Sequence, residues 1–196
     1  MTPMDLERLR VAIASGDPAR AMPALAQLRG CPPSDAEPLL LLGLRQQAFT
    51  VRALSCSGLG WIHTPACRQA LVEALEHDSD PNVRAEAANA LVKHGYATAW
   101  PLLLETFRRD TAWLLRCSIL SALVELPDVK PEHLLELAGL AIDDLDGTVR
   151  LSGAECLGWV VRGSSPQAAV ARELLLGLLQ DPDYRVVAAA LNGTQP

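Results

Sequence analysis

Aromatic residues are scarce in this chain of 196 residues: four Trp, two Tyr and two Phe, 4% in all. A β-sandwich draws on aromatic and β-branched side chains. Their scarcity, beside abundant Leu, Val and Ala, favours closely packed helices. Long apolar runs are missing as well, and a membrane-spanning helix needs about 18 consecutive apolar residues. The N-terminus, Met1-Thr2-Pro3-Met4-Asp5-Leu6-Glu7-Arg8, brings in acids early with no apolar stretch behind them, unlike a secretory signal. Basic charge is in short supply too. Seventeen Lys and Arg against 23 Asp and Glu leave a net charge of −6, and no basic cluster of five or more occurs. Nucleic-acid affinity comes from cations neutralising phosphates, so no nucleic-acid partner is expected. The five cysteines, Cys31, Cys56, Cys67, Cys117 and Cys156, are odd in number and form no Cys-x-x-Cys. They read as small, buried, reduced thiols. With 49% apolar and 20% charged residues, the chain reads as a folded cytoplasmic protein with no membrane segment.

What is present is a repeat. An apolar residue followed by arginine recurs as Val51-Arg52, Val83-Arg84, Leu115-Arg116, Val149-Arg150 and Tyr184-Arg185, with the arginines 32, 32, 34 and 35 residues apart. Small residues follow three and four places on: Ser55-Cys56, Ala87-Ala88, Gly153-Ala154 and Ala188-Ala189, with Ile119-Leu120 as the exception. Leucine returns seven places after the arginine at Leu59, Leu91, Leu123 and Leu157. Together these make one stripe of a 3.6-period helix, narrow enough for a second helix to approach closely. Asp80-Pro81 and Asp181-Pro182 read as an N-cap followed by proline at the first helical position. Upstream of each such helix lies another amphipathic segment: 36–47, 66–77, 99–109, 131–142 and 166–180.

Each unit is therefore helix, acidic turn, helix. One pair cannot bury its apolar face, but stacked pairs can. The expected fold is all-α, a right-handed α-α superhelix of about five helix pairs after an N-terminal capping pair. Residues 1–34 form the cap and linker, broken at Ser15-Gly16-Asp17-Pro18. Residues 35–196 form the array, in units of about 35–62, 65–94, 97–126, 131–162 and 165–193. Arg84, Arg116, Arg150 and Arg185, with Asp80, Asp146 and Asp181, are expected to form a structural ladder of charge-assisted hydrogen bonds. Arg52 has Ala48 and Gln46 where the acids should stand, so the ladder should be weakest there.

The segment Asp80-Pro81-Asn82-Val83-Arg84-Ala85-Glu86-Ala87-Ala88-Asn89-Ala90-Leu91 resembles the HEAT family, and more closely the HEAT-like repeats of the phycobilisome lyase group. The resemblance spans about residues 36–192. It implies a HEAT-like solenoid, protein partners and, under one alternative, a bilin-bearing partner. It carries over no catalytic residue.

Chemistry is hard to find in the chain. No nucleophile elbow, phosphate-binding loop or zinc-protease motif occurs. His63 and Cys67 are too few for a metal site, and Pro65 interrupts their spacing. His77 and His94 fall near helix ends, where imidazole complements the dipole. Asp143-Asp144-Leu145-Asp146 reads as a solvated turn and N-cap, without the ligands of a calcium loop. Asn192-Gly193-Thr194 matches a glycosylation sequon that has no use in a cytosolic chain. No catalytic residue, metal or cofactor is therefore expected, a bilin excepted under the alternative.

The tryptophans offer a surface instead. Trp61 and Trp159 each lie nine places after the repeat arginine, in a Leu-Gly-Trp triplet. With Glu86, Asn89, Lys93, Ser121, Glu125 and Glu155 they form a row on the second helices, which line the concave face of HEAT-like solenoids. Either this row meets a partner, since Trp is enriched at interface hot spots, or each Trp covers the loop end of its own pair. The expected function is a protein-binding scaffold or adaptor, with phycobiliprotein-type partners suggested by the resemblance. A bilin lyase or chromophore-detaching factor is the alternative. The C-terminal end, about residues 170–192, has little charge after Arg185 and is expected to pair with a second copy or a partner.

Overall fold

The structure, a computed structural model, describes residues 2–163 and 165–195. Among these there are eleven α-helices and no strand: α1 Pro3–Ala14, α2 Pro18–Gln27, α3 Pro33–Gly43, α4 Phe49–Leu59, α5 Pro65–His77, α6 Pro81–Arg109, α7 Trp113–Val124, α8 Pro131–Ile142, α9 Gly147–Arg162, α10 Ala168–Gly177 and α11 Tyr184–Gly193. Short 3-10 turns, Leu28–Gly30 and Leu178–Gln180, follow α2 and α10. α6 is two helices in one, broken at Gly95, where φ is +130°. Only glycine takes that conformation without strain, so the chain turns from one pair into the next with no loop.

The fold class is the expected one: all-α, built of helix pairs. The pairs are α3 with α4, α5 with the first arm of α6, its second arm with α7, α8 with α9, and α10 with α11, preceded by α1 with α2. Proline opens α1, α2, α3, α5 and α8. There its fixed φ suits the helix and its missing N–H costs nothing. The first-turn N–H groups are met by side chains: Thr2 with Asp5 in a capping box, and Asp17, Thr64 and Asp146 at later starts. The chain divides into two compact units between Ala99 and Trp100. In the first unit α1 packs on α3 and α2 on α4.

The buried stripe is regular. Val51, Val83, Leu115, Val149 and Val186 are fully buried at the third position of the second helices. Leu59, Leu91, Leu123 and Leu157 are fully buried eight places on. Burying each such side chain stabilises the fold by about 1.5–3 kcal/mol. The small residues between them set the helix spacing. A Cβ on Gly153 would stand 2.8 Å from Ala141 Cβ and 3.2 Å from the Ile142 backbone nitrogen. Ser55, the one polar group in this stripe, donates its hydroxyl to the Val51 carbonyl at 2.8 Å.

Val186, rather than Tyr184, occupies the core position of the last pair, which corrects the expected register. Asp183, not Asp181, caps α11, accepting the Arg185 N–H at 2.9 Å. The ladder position is thus Val187. Arg185 sits two residues early and pairs with its own cap, Asp183, at 2.7 Å. That contact holds the Asp183 carboxyl down at about 2.

Within each unit, ladder arginines link a pair to the one that follows. Arg52 grips Asp78 with two hydrogen bonds, 2.7 and 2.9 Å, and donates Nη1 to the Gln46 and Gln47 carbonyls of its own turn. Arg150 does the same with Asp181, at 2.8 and 3.0 Å, and with the Asp144 and Leu145 carbonyls. Arg116 meets Asp144 at 2.7 Å and the Thr111 carbonyl at 3.1 Å. Arg84 donates to the Asp78 and Ser79 carbonyls. Three expectations are corrected here. Arg52 is a full member, because its acid comes from the following turn. Asp80 and Asp146 are caps, receiving the Asn82 and Thr148 N–H groups. Asp144, expected in a solvated turn, is buried against Arg116.

Each ladder aspartate is pre-set by its own backbone. Asp78, Asp144 and Asp181 accept the N–H two residues on, at 2.8–2.9 Å, and Asp110 accepts that of Ala112 at 2.8 Å. Burial pushes Asp78 up, but the Arg52 and Asp80 hydrogen bonds outweigh it and leave the carboxyl below its ordinary range. Asp181 is lowered by Arg150.

Candidate partner-binding surfaces

In the first unit, a groove of about 660 Å³ opens along the second helices. Leu25 of α2, Leu40 of α3 and Leu54 of α4 form its apolar floor, and Trp61, just past α4, stands at its edge. The Trp61 ring is 60% exposed. Two cations lie against it: Lys93 Nζ is 4.7 Å from the ring centroid and Arg29 Cζ is 6.0 Å. Positive charge over the electron-rich face is attractive, by about 0.5–1 kcal/mol at an exposed site. Lys93 reaches the ring because Gly60 lets α4 lie close to the first arm of α6. A Cβ there would be 3.2 Å from the Ala90 Cα.

Two expected members of this row lie outside the groove. Glu86 and Asn89, two turns and one turn before Lys93, are half-buried. Burial raises the Glu86 carboxyl above its ordinary value, against the pull of Lys93. Asn89 Oδ1 is buried without a hydrogen-bond partner. Arg29 was not foreseen at all. It sits in the 3-10 turn after α2, and nothing in the local sequence marks it as a neighbour of Trp61. Cys31, expected to be buried, is half-exposed on the same groove.

The second unit has its own hollow, also about 660 Å³, between α7 and α9. It gathers Ser121, Glu125, Glu155 and Trp159 of the expected row, with Cys117, Ser152 and Arg162. Trp159 is half-buried here. Trp61 and Trp159 thus belong to two separate compact units. A further hollow of about 620 Å³ lies at the turns of the same unit, beside Trp113, Leu140 and Leu145. Trp113 and Leu145 stand exposed there, at or just before the start of a second helix, a position the periodicity argument ignores.

Other polar clusters are structural. The His63 and His94 rings meet at 4.8 Å, and His94 Nε2–H donates to the Leu59 carbonyl at 2.9 Å. Trp100 and His133 stack, with centroids 3.9 Å apart. Among the described residues, no three His, Cys, Asp or Glu side chains gather where a metal ion could be held. None of the described helices is long and apolar enough to cross a membrane.

The turn-to-helix arginines, the small residues beneath them and the regular pairs are the features of one repeat family, and its model matches here, over residues 36–124. Residues 36–124 are HEAT repeats. The match runs from α3 through α7, and α8–α11 continue the same pairing beyond it. Two solved structures share the fold. An engineered protein is similar at TM-score 0.60 and 20% identity, covering 99% of this chain and 96% of its own. YIBA_ECOLI, from Escherichia coli, reaches TM-score 0.67 at 18% identity, over 95% of this chain and 68% of that one. The complex of CpcE and CpcF of phycocyanin lyase from Nostoc sp. PCC7120 is similar at TM-score 0.45 and 18% identity, over 99% and 100%. No curated protein matches the chain.

Proposed function

We propose that this HEAT-repeat chain is a protein-binding scaffold or adaptor that works through the exposed face of its second helices. The observation that carries this reading is Trp61, a large aromatic left 60% exposed at the rim of a groove, with two cations held against it. An exposed Trp of this kind is what an interface hot spot supplies: wide apolar area at little entropic cost. The unit 2 hollow, with Trp159 beside Ser121 and Glu155, offers a second, more polar contact area. Phycobiliprotein-type partners are the specific candidates, and a cytoplasmic setting suits them.

A photo-crosslinking residue placed at position 57 or 121, on the second helices, tests this. Cross-linked partner peptides identified by mass spectrometry from those positions support it. Cross-links found only from positions on first helices, such as 69 or 136, would sink it. A free bilin mixed with the chain separates the alternative: new visible absorbance on mixing favours a chromophore-handling role.

A further inference from the structure

The charge lining the unit 1 groove is of one sign. Among the described residues, its only charged members are Arg29 and Lys93. The rest of the wall is apolar or small: Leu25, Leu40, Leu54, Ser57 and Trp61 among them. This stands out in a chain of net charge −6. Both cations are exposed and lie over the indole face, at the mouth of the groove. A volume of about 660 Å³ falls in the range of roughly 300–1,000 Å³ that bound ligands fill.

Taking the second-helix face as the partner surface, we propose that this groove receives a short acidic, apolar segment of a partner protein. An aliphatic or aromatic side chain of the segment packs between Leu40, Leu54 and Trp61. Its flanking Asp or Glu carboxylates pair with Arg29 and Lys93. The unit 2 hollow, where Glu125 and Glu155 outnumber Arg162, is less suited to the same segment, because its net charge is of the same sign.

The test is a random peptide library displayed on phage and panned against the full chain. The best peptide is then synthesised with a fluorescent label and measured by anisotropy at low and high salt. Three variants are compared: Arg29→Glu with Lys93→Glu, the milder Arg29→Gln with Lys93→Gln, and Glu125→Lys with Glu155→Lys, each checked for fold by circular dichroism. The expected result is enrichment of Asp or Glu beside apolar residues. Binding should fall about tenfold or more in the charge-reversed groove variant and less in the glutamine pair. It should stay unchanged in the unit 2 variant and weaken with salt. A peptide with Lys in place of its acids should bind the charge-reversed variant better than the original chain. Enriched peptides without acids, or binding lost only in the Glu125→Lys/Glu155→Lys variant, would overturn this groove assignment and leave the protein-binding reading intact. Library panning that enriches nothing would count against both.

Discussion

Arg150 and Asp181 are joined by two hydrogen bonds, 2.8 and 3.0 Å long, across 31 residues of chain. The pair is nearly enclosed, with 15% of the arginine and 6% of the aspartate side chain exposed. The same arginine closes its own turn by binding the Asp144 and Leu145 carbonyls. One side chain therefore ties the α8–α9 turn to the α10–α11 turn of the next pair. Removing Asp181 leaves a mostly buried guanidinium without its partner, which costs about 3 kcal/mol. Asp181→Ala should lower the unfolding free energy from urea titration by that amount. Arg185→Ala, which removes only an exposed local contact, should leave it nearly unchanged. An Asp181→Ala variant as stable as the parent chain would mean that the ladder carries no stability.

Acid should loosen the ladder. The folded-state pKa values of Asp78 and Asp181 lie below the ordinary carboxylate range. A depressed carboxyl contributes stability that is fully present above its unfolded pKa, about 3.9, and is lost as pH falls through the folded value. Calorimetric melting temperatures should thus fall below about pH 4, less steeply in Asp181→Ala. His94 and His133 are lowered chiefly by burial. By the same sign, their contribution is present above about pH 6.5 and declines as pH drops below it. A melting temperature flat from pH 7 to pH 3 would contradict both statements.

Glycine substitutions should separate close helix contacts from open surface. At Gly158 a Cβ would lie 2.8 Å from the Gly193 Cα, where backbone meets backbone and neither helix can yield. Gly158→Ala should destabilise by about 1–3 kcal/mol. At Gly139, mid-helix in α8, nothing lies within 4 Å. Gly139→Ala should stabilise by up to about 1 kcal/mol through helix propensity. Chemical denaturation of the two variants checks the opposite signs.

Thiol labelling should read out the groove. Burial pushes the Cys56 and Cys156 thiols up to about 12, so they should stay inert in the native chain. Cys31, half-exposed in the unit 1 groove, should take a maleimide first, and Cys117 more slowly, since burial raises its thiol too. Mass spectrometry of partly labelled protein should find Cys31 modified before Cys56 or Cys156. Prior binding of an acidic peptide should slow the Cys31 reaction.

Much of the fold was legible because the signals are local. The buried Val and Leu positions, the small residues between them and proline at helix starts each depend on neighbours within a turn or two. The HEAT resemblance read from residues 80–91 rests on the same short-range pattern. Misreadings came where two local signals competed. At the last pair, Tyr184-Arg185 imitates the apolar-Arg marker, yet the helix starts two residues later than that marker implies. Asp183 supplies a better cap than Asp181, and Val186 then falls on the buried stripe. At the first pair, the absence of acids before Arg52 suggested a weak link. The acid was 26 residues further on, at Asp78.

The sequence by itself determined the class: stacked helix pairs, set by a 3.6-residue apolar period and by capping chemistry that acts within four residues. Only the tertiary structure decided which side chains meet. That Arg52 finds Asp78, or that Arg29 reaches Trp61, depends on how successive pairs stack. Stacking is governed by close contacts at residues such as Gly60, Gly153 and Gly158, where the absence of a side chain lets backbones approach. A missing Cβ leaves no periodic mark in the sequence that says which partner it admits, so the groove and the direction of the ladder had to be seen in three dimensions.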